Sequence, residues 1–261
     1  MNEASILSRF DALVKSGVVL YDPSQETIRH VDGELELNFL LTSALIKKPT
    51  IQPQTAQSEN LNGQKIDGSD ISITGFEIGQ VNSNTHFLIV RKFCYARPHL
   101  MLLTANGYRR QYEPLDESDL AATRYIAFYN CGRDGGCSRL HRHLQLIPKP
   151  PHSFADFLIA EDDAARPTNV PFQWFYQRLD VHTGQSTHAD STPSDAACPH
   201  NFIMGKRWMI VIPRRRAGID KEAGANALGM LGAIAVATRP EMDNWVRLGL
   251  TESLRALCVP K

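Results

Sequence analysis

The sequence predicts an α+β fold, an antiparallel sheet with helices packed on one face. Three observations point there. Apolar runs with period-two alternation recur and come in pairs, as across 85–104 and 200–218. Helical periodicity is clearest near the two ends, over 3–16 and 240–257. No internal repeat divides the chain, which is read as one unit over 1–261. Within it, 1–150 and 151–261 form an N-terminal and a C-terminal part.

Taken in order, Ile6, Leu7, Phe10, Leu13 and Val14 have helical spacing, and Gly17 closes that helix. Val18 to Tyr21 reads as a short strand. Leu35, Leu37 and Phe39 alternate within a second strand, Leu35 to Leu41, which runs on until Pro49 breaks the element. Residues 50–70 are rich in Gln, Asn, Ser and Gly and read as a loop insert. Phe76 to Val81 forms a strand, and 85–104 forms two more around a turn at Ala96 to His99. A short helix starts at 116–121, with Asp116 or Ser118 as cap. It cannot extend far, because TRYIAFYN is already the strand leading into Asn130.

Residues 151–172 form a loop with one short helix, and 182–198 are a polar surface loop. A strand pair follows, with Ile203, Trp208, Ile210 and Ile212 in the core. Lys206, Arg207 and Arg214 to Arg216 sit at strand ends, where solvated cations are the expectation. Trp245, Leu248, Leu254 and Leu257 place a terminal helix over 240–257.

The stretch that carries chemistry runs from Asn130 to Pro148, NCGRDGGCSRLHRHLQLIP. Gly132, Gly135 and Gly136 make a turn. His141, His143 and Gln145 then occupy alternate positions, so on a strand they share one face while Leu144 and Leu146 enter a core on the other. Arg142 is expected at the strand edge. Gly135 and Gly136 let backbone N–H groups converge on an anion, with Ser138 and Asn130 as further donors. Imidazole is a nucleophile at neutral pH, provided its second nitrogen meets an acceptor that fixes the tautomer. Gln145 can donate to a phosphoryl oxygen but cannot exchange protons as a third His would, which favours a transferase over a hydrolase. Cys137 reads as a small filler within the loop. A metal site is not expected. Two His on a strand supply only part of a zinc ligand set, and His30, His86, His99, His152, His182, His188 and His200 show no paired spacing.

Composition narrows the class. Lys plus Arg and Asp plus Glu are both 28, so the formal net charge is zero. That argues against a broad nucleic-acid or membrane surface, though not against a basic pocket. Five cysteines, odd in number and without a CxxC pair, speak for a reducing compartment. No run approaches the ~20 apolar residues of a membrane span. The N-terminus lacks the apolar segment of a signal peptide. A cytoplasmic, or cytoplasmic and nuclear, protein is expected.

HRHLQ matches the H-x-H-x-Q motif of the histidine-triad transferase branch, and the run FYNCGRDGGCSRLHRHLQLIP resembles the fungal-type diadenosine tetraphosphate (Ap4A) phosphorylases, or ATP adenylyltransferases. The resemblance implies a histidine-triad-like fold and reversible phosphorolysis of Ap4A to ATP and ADP through an adenylyl-histidine. It makes His143 the nucleophile, assisted by His141 and Gln145. Substrate would be bound by Asn130, Gly136, Cys137, Ser138, Arg139 and Gln145, with Lys48 (Lys47 the alternative) from a KKP segment. Arg91 and Lys92 stand where the family has Asn-Lys, Lys92 being the closer match. Asn226, Ala227 and Leu228 belong to an NALG segment. Ala237 replaces a family lysine, and the helix before Asn130 is shorter than in the family. No tightly bound cofactor is implied; Mg2+ would accompany the polyphosphate. The partners implied are diadenosine polyphosphate, ATP, ADP and phosphate. Hexose-1-phosphate uridylyltransferases share the spacing and chemistry and are the runner-up, and a non-catalytic nucleotide-binding module is the alternative from another class.

Overall fold

A computed structural model describes residues 2–48, 66–115, 125–149, 170–179, 198–206 and 208–261. The expected short helix at 116–121, all of 151–172 but its last three residues, most of the 182–198 loop, Arg207 and residues 50–65 of the 50–70 insert lie outside them.

Helix α1 (Glu3–Lys15) opens the chain. The Asn2 side chain caps it by accepting from the Ser5 N–H at 2.8 Å, Glu3 and Lys15 complement its dipole, and Gly17 leaves it at φ 75°. Strands β1 (Leu20–Tyr21), β2 (Glu26–Asp32) and β3 (Leu35–Leu41) follow, then β4 (Glu77–Val81), β5 (His86–Val90), β6 (Phe93–Cys94), β7 (Leu100–Thr104), β8 (Ile126–Cys131) and β9 (His143–Ile147). The C-terminal part contributes β10 (Phe175–Arg178), β11 (His200–Gly205), β12 (Trp208–Pro213) and β13 (Ala233–Val236), then helices α2 (Arg239–Leu248) and α3 (Leu250–Leu257).

The main sheet has the order β10-β12-β11-β8-β9-β7-β5-β4, with every neighbouring pair antiparallel. It runs without a break from strands of the C-terminal part into strands of the N-terminal part. A second sheet, β13-β3-β2, pairs β13 with β3 in parallel, and β1 pairs with β6.

Every residue of β7, β8 and β9 is buried. A sheet buried on both faces needs cover on both. Ile6, Phe10 and Leu13 of α1 pack on one face against Leu100, Leu102, Ala127, Tyr129, Leu144 and Leu146. The second sheet, α2 and α3 cover the other, where Phe39, Trp245, Leu254 and Leu257 meet Phe128, Ile147, Ile203, Ile210 and Ile212. The helices therefore flank the sheet on both faces, not the one expected, because its central strands are apolar on both sides.

Other departures have local causes. Strand β2 escapes sequence reading because its two faces do not separate by polarity: Val31 is exposed while the half-buried positions are Ile28, His30 and Asp32. The terminal helix is two, since Gly249 at φ 78° breaks it. Arg142 is fully buried rather than at the strand edge, 3.7 Å from the Glu113 carboxylate, while Leu140 is more than half exposed. Regular pairing of β9 begins only at His143, so the leucine alternation does not extend back through them.

Candidate active site

β8 and β9 pair as far as Phe128 and Gln145 and then part around the glycine turn. The buried Gln111 side chain bridges the gap. Its Oε1 accepts from the His143 N–H at 2.8 Å, and its Nε2 donates to the His143 and Asn130 carbonyls at 3.0 and 3.2 Å. Both chemical strands are thus clamped at their open ends.

The motif side chains line one face of this junction. His143 Nδ1 lies 2.8 Å from the His141 carbonyl. A carbonyl can only accept, so Nδ1 carries the proton and Nε2 keeps its lone pair. Burial pulls the His143 pKa down to about 4, outweighing the opposing pull of that hydrogen bond, so the ring is neutral at pH 7. The His141 ring is fixed the same way. Its Nε2 meets the Thr104 carbonyl and hydroxyl, both at 3.0 Å, and its Nδ1 meets the Ser69 hydroxyl at 2.7 Å. With both nitrogens engaged, His141 is placed to orient rather than to ligate or attack, and burial lowers its pKa too. Asp70 fixes the approach to β9 by accepting the Leu140 and His141 N–H groups at 2.9 and 2.8 Å. Ser69 and Asp70 end the stretch read as a loop insert, so its last residues are structural parts of the site.

Gln145 bonds His99. The His99 Nε2 is 3.0 Å from Gln145 Oε1, and the ring is fully buried edge-on to Tyr95, 4.5 Å between centroids. Burial and then the Arg91 charge hold His99 well below the usual histidine range. A neutral His99 donating to Oε1 leaves the amide Nε2 of Gln145 as the outward donor. Tyr95 in turn accepts from Asn226 Nδ2 at 3.1 Å.

Cations gather on one side. The charge of Arg91 is felt at Lys48, Tyr95, His99 and His143. Lys48 is exposed at the surface. Desolvation, then the Arg91 charge, bring its pKa down to about 8, against the pull of Glu241. Lys92, the closer family match, is exposed with its Nζ over the Phe93 ring, while Arg91 turns inward. The structure thus brings Lys48 and Arg91 to the histidines and leaves Lys92 outside.

The glycine loop is built differently from the expected anion cradle. The Gly136 and Cys137 N–H groups donate to the Arg133 and Gly132 carbonyls at 2.9 and 3.2 Å, within the turn itself. A Cβ on Gly135 would lie 2.1 Å from the Cys131 carbonyl oxygen, so only glycine fits this closure. Ser138 and Arg139 lie exposed beyond it. Cys137 is half-buried and its thiol is raised to about 11, which suits a filler and not a nucleophile. Ala227 and Leu228 are buried, and their N–H groups go to Asn130 Oδ1 and Asn226 Oδ1 at 2.9 and 3.1 Å. They hold the two asparagines instead of facing outward.

Arg214, expected to be solvated, is buried. It donates to Asn201 Oδ1 at 2.5 Å and to the carbonyls of Leu257, Arg216, Ala217 and Ala225. The signal was present, since Arg214 continues the alternation of Trp208, Ile210 and Ile212. His99 similarly shares the phase of Met101 and Leu103, which pair with Gln145 and His143. Gln111, Ser69 and Asp70 carried no comparable signal.

Residues 42–158 match the family model for the Ap4A phosphorylase N-terminal domain, and residues 168–260 that for the ATP adenylyltransferase C-terminal domain. Among curated proteins of Saccharomyces cerevisiae, diadenosine 5',5'''-P1,P4-tetraphosphate phosphorylase 2 is 25% identical over 60% of this chain and 64% of its own length. Protein APA1 of the same yeast is 23% identical over 85% of this chain and 86% of its own. The chain thus spans under two thirds of the first relative and most of the second. Crystal structures of yeast Ap4A phosphorylase Apa2 share the fold. The complex with AMP aligns at TM-score 0.72 and 22% identity over 99% of this chain and 96% of that one. The complex with Ap4A aligns at 0.68 and 20% over 99% and 97%.

Proposed function

The chain belongs to the Ap4A phosphorylase and ATP adenylyltransferase family, and from that membership we propose that it catalyses the reversible phosphorolysis of Ap4A. The observation that carries the reading is the fixed tautomer of His143, with Nδ1–H on the His141 carbonyl and Nε2 unprotonated. Nε2 attacks the α-phosphorus of one adenosine. The bond from that phosphorus to the bridging oxygen breaks, and ATP leaves with the electron pair. The adenylyl-histidine carries a positive charge, which the His141 carbonyl stabilises through Nδ1–H. Inorganic phosphate then attacks the same phosphorus, the P–N bond breaks, and ADP leaves with His143 restored. ATP is a good leaving group, so no strong general acid is required, and Gln145 in place of a third imidazole is adequate.

Each displacement is in line, so positioning and charge stabilisation supply most of the acceleration. In this reading the Gln145 and Asn130 amides and the Ser138 hydroxyl bind the transferred phosphoryl oxygens. Lys48 and Arg91 bind the rest of the polyphosphate chain. Arg139, at the loop's exposed end, is a peripheral contact. Mg2+ would enter with the polyphosphate as part of the substrate and offset its charge. Among the described residues no group of three His, Cys, Asp or Glu gathers to hold it beforehand. No helix of the described residues is long and apolar enough to cross a membrane, and all five cysteines are free thiols. A cytoplasmic setting, with or without the nucleus, accords with the thiols.

The test is incubation with labelled Ap4A, with and without phosphate, for the native chain and for His143→Ala. Phosphate-dependent ATP and ADP, with a radiolabelled acid-labile adenylyl-enzyme in the native chain alone, is the expected result. Products that appear equally from His143→Ala would refute the covalent route. A UDP-hexose that outcompetes Ap4A would move the activity to the uridylyltransferases.

A further inference from the structure

We infer that Arg214 and Asn201 form a buried relay that fixes which end of the Asn130 carboxamide faces the reacting phosphate. This rests on the nucleotidyl-transfer reading above and adds two positioning residues to it. The logic is one of donors and acceptors. A guanidinium has no acceptor, so the Asn201 atom 2.5 Å from Arg214 Nη1 must be the carbonyl oxygen. That turns Asn201 Nδ2 the other way, where it donates to Asn130 Oδ1 at 3.0 Å and to the Gly135 carbonyl at 2.7 Å. Asn130 Oδ1 also accepts the Ala227 N–H at 2.9 Å. Two donors hold that oxygen inward, so Asn130 Nδ2 is the end left for substrate. Without them, a flipped Asn130 would present an oxygen to an anion.

The relay suits its place. Asn201 and Asn130 are opposed residues of β11 and β8, and both are buried, so the Nδ2–Oδ1 contact between them is shielded from water. Every oxygen that Arg214 donates to is neutral: the Asn201 amide and four main-chain carbonyls. Among the described residues no carboxylate hydrogen-bonds the guanidinium, and the only carboxylate charge that acts on it is the more distant one of Asp134, in the loop above it. The same Asn201 donor closes the glycine turn at Gly135, so loop shape and amide orientation are set by one side chain.

The experiment is a double-mutant cycle of Asn201→Asp and Asn130→Ala, read as kcat/KM for Ap4A phosphorolysis and as the Kd for AMP by calorimetry. Asp at 201 still accepts from Arg214 but offers Asn130 an acceptor, which draws the Asn130 NH2 group inward. In the native background the expected losses are about 100-fold in kcat/KM, that of one oriented oxyanion donor, and about tenfold in AMP affinity. In the Asn130→Ala background, Asn201→Asp is expected to change either quantity less than about threefold, because the orientation no longer matters. Arg214→Met should share the Asn201→Asp loss, and Arg214→Lys, which keeps a donor for Asn201 Oδ1 but not all five bonds, should lose less than Arg214→Met. Equal losses from Asn201→Asp in both backgrounds would overturn the relay in favour of a general loop defect. A native chain that binds AMP but makes no ATP or ADP would refute the phosphorylase reading, and the cycle in Kd would still judge the relay. A native chain that binds no AMP would overturn both.

Discussion

Replacing Gln111 by Met tests whether the gap between β8 and β9 is held by one side chain. Met has nearly the same length and shape and makes no strong hydrogen bond. The change removes three bonds, to His143 N–H, His143 O and Asn130 O, in a side chain only 2% exposed. A buried polar group left without a partner costs about 1–3 kcal/mol. One donor and two acceptors are orphaned, so the upper limit is the sum. Each carbonyl has a second lone pair and a water can enter a gap, which brings the expectation to about 3–5 kcal/mol. Urea unfolding followed by tryptophan fluorescence and far-UV dichroism measures it through the midpoint at fixed slope. Because the clamp also sets the His143 main chain, kcat should fall by about 10–100-fold with KM little changed, as expected when a nucleophile is misplaced by a fraction of an ångström. A destabilisation under 1 kcal/mol together with kcat within about twofold of native would refute the reasoning.

The pH profile of kcat/KM should be bell-shaped. It falls on the acid side as His143 protonates through about 4, losing its lone pair, and on the alkaline side as Lys48 loses its charge through about 8. A profile flat from pH 7 to 10 would remove Lys48 from polyphosphate binding. Lys48→Ala and Arg91→Ala should each raise the KM for Ap4A about tenfold or more, whereas Lys92→Ala should change it less than about twofold. The reverse ranking in steady-state assays would contradict the inward placement of Arg91. Folding stability should decline as pH drops from 6.5 toward 4. Buried His143 stays neutral there while the unfolded chain takes up a proton, so ν_U exceeds ν_N and stability rises with pH. The window of about 2.5 pH units corresponds to roughly 3 kcal/mol from His143, and His99, His141 and His200 act in the same direction. Denaturant midpoints at pH 4.5 and 7.5 that coincide would count against buried neutral imidazoles.

What the sequence made legible is what local order determines. Alternation placed His143 and Gln145 on one face and Leu144 and Leu146 on the other. Helical spacing placed α1 to within a residue or so of its ends. The same rules failed where contacts come from far along the chain. His141 meets Ser69, 72 positions away, and His99 meets Gln145 at 46; neither distance is written in a window of ten residues. Gln111 lies in a stretch with no regular element, so periodicity could not single it out. Arg214 was misread because arginine is usually solvated, although its phase along β12 pointed inward. The expectation that helices cover one face ignored that IAFYNC is apolar on both sides, a reading available from the residues themselves.

The unbroken sheet also constrains how the molecule is made. Strands β4, β5, β7, β9 and β8 leave the ribosome before β11, and until β11 arrives β8 is an open edge of mostly apolar residues. Such an edge pairs readily with another chain, so the interval between synthesis of Cys131 and of Gly205 is the stage at which nascent molecules are most open to mispairing or chaperone capture. Over that same interval Asn130 still lacks Asn201, Ala227 and Arg214. A half-made polypeptide therefore carries His143 before the groups that orient the Asn130 amide are in place.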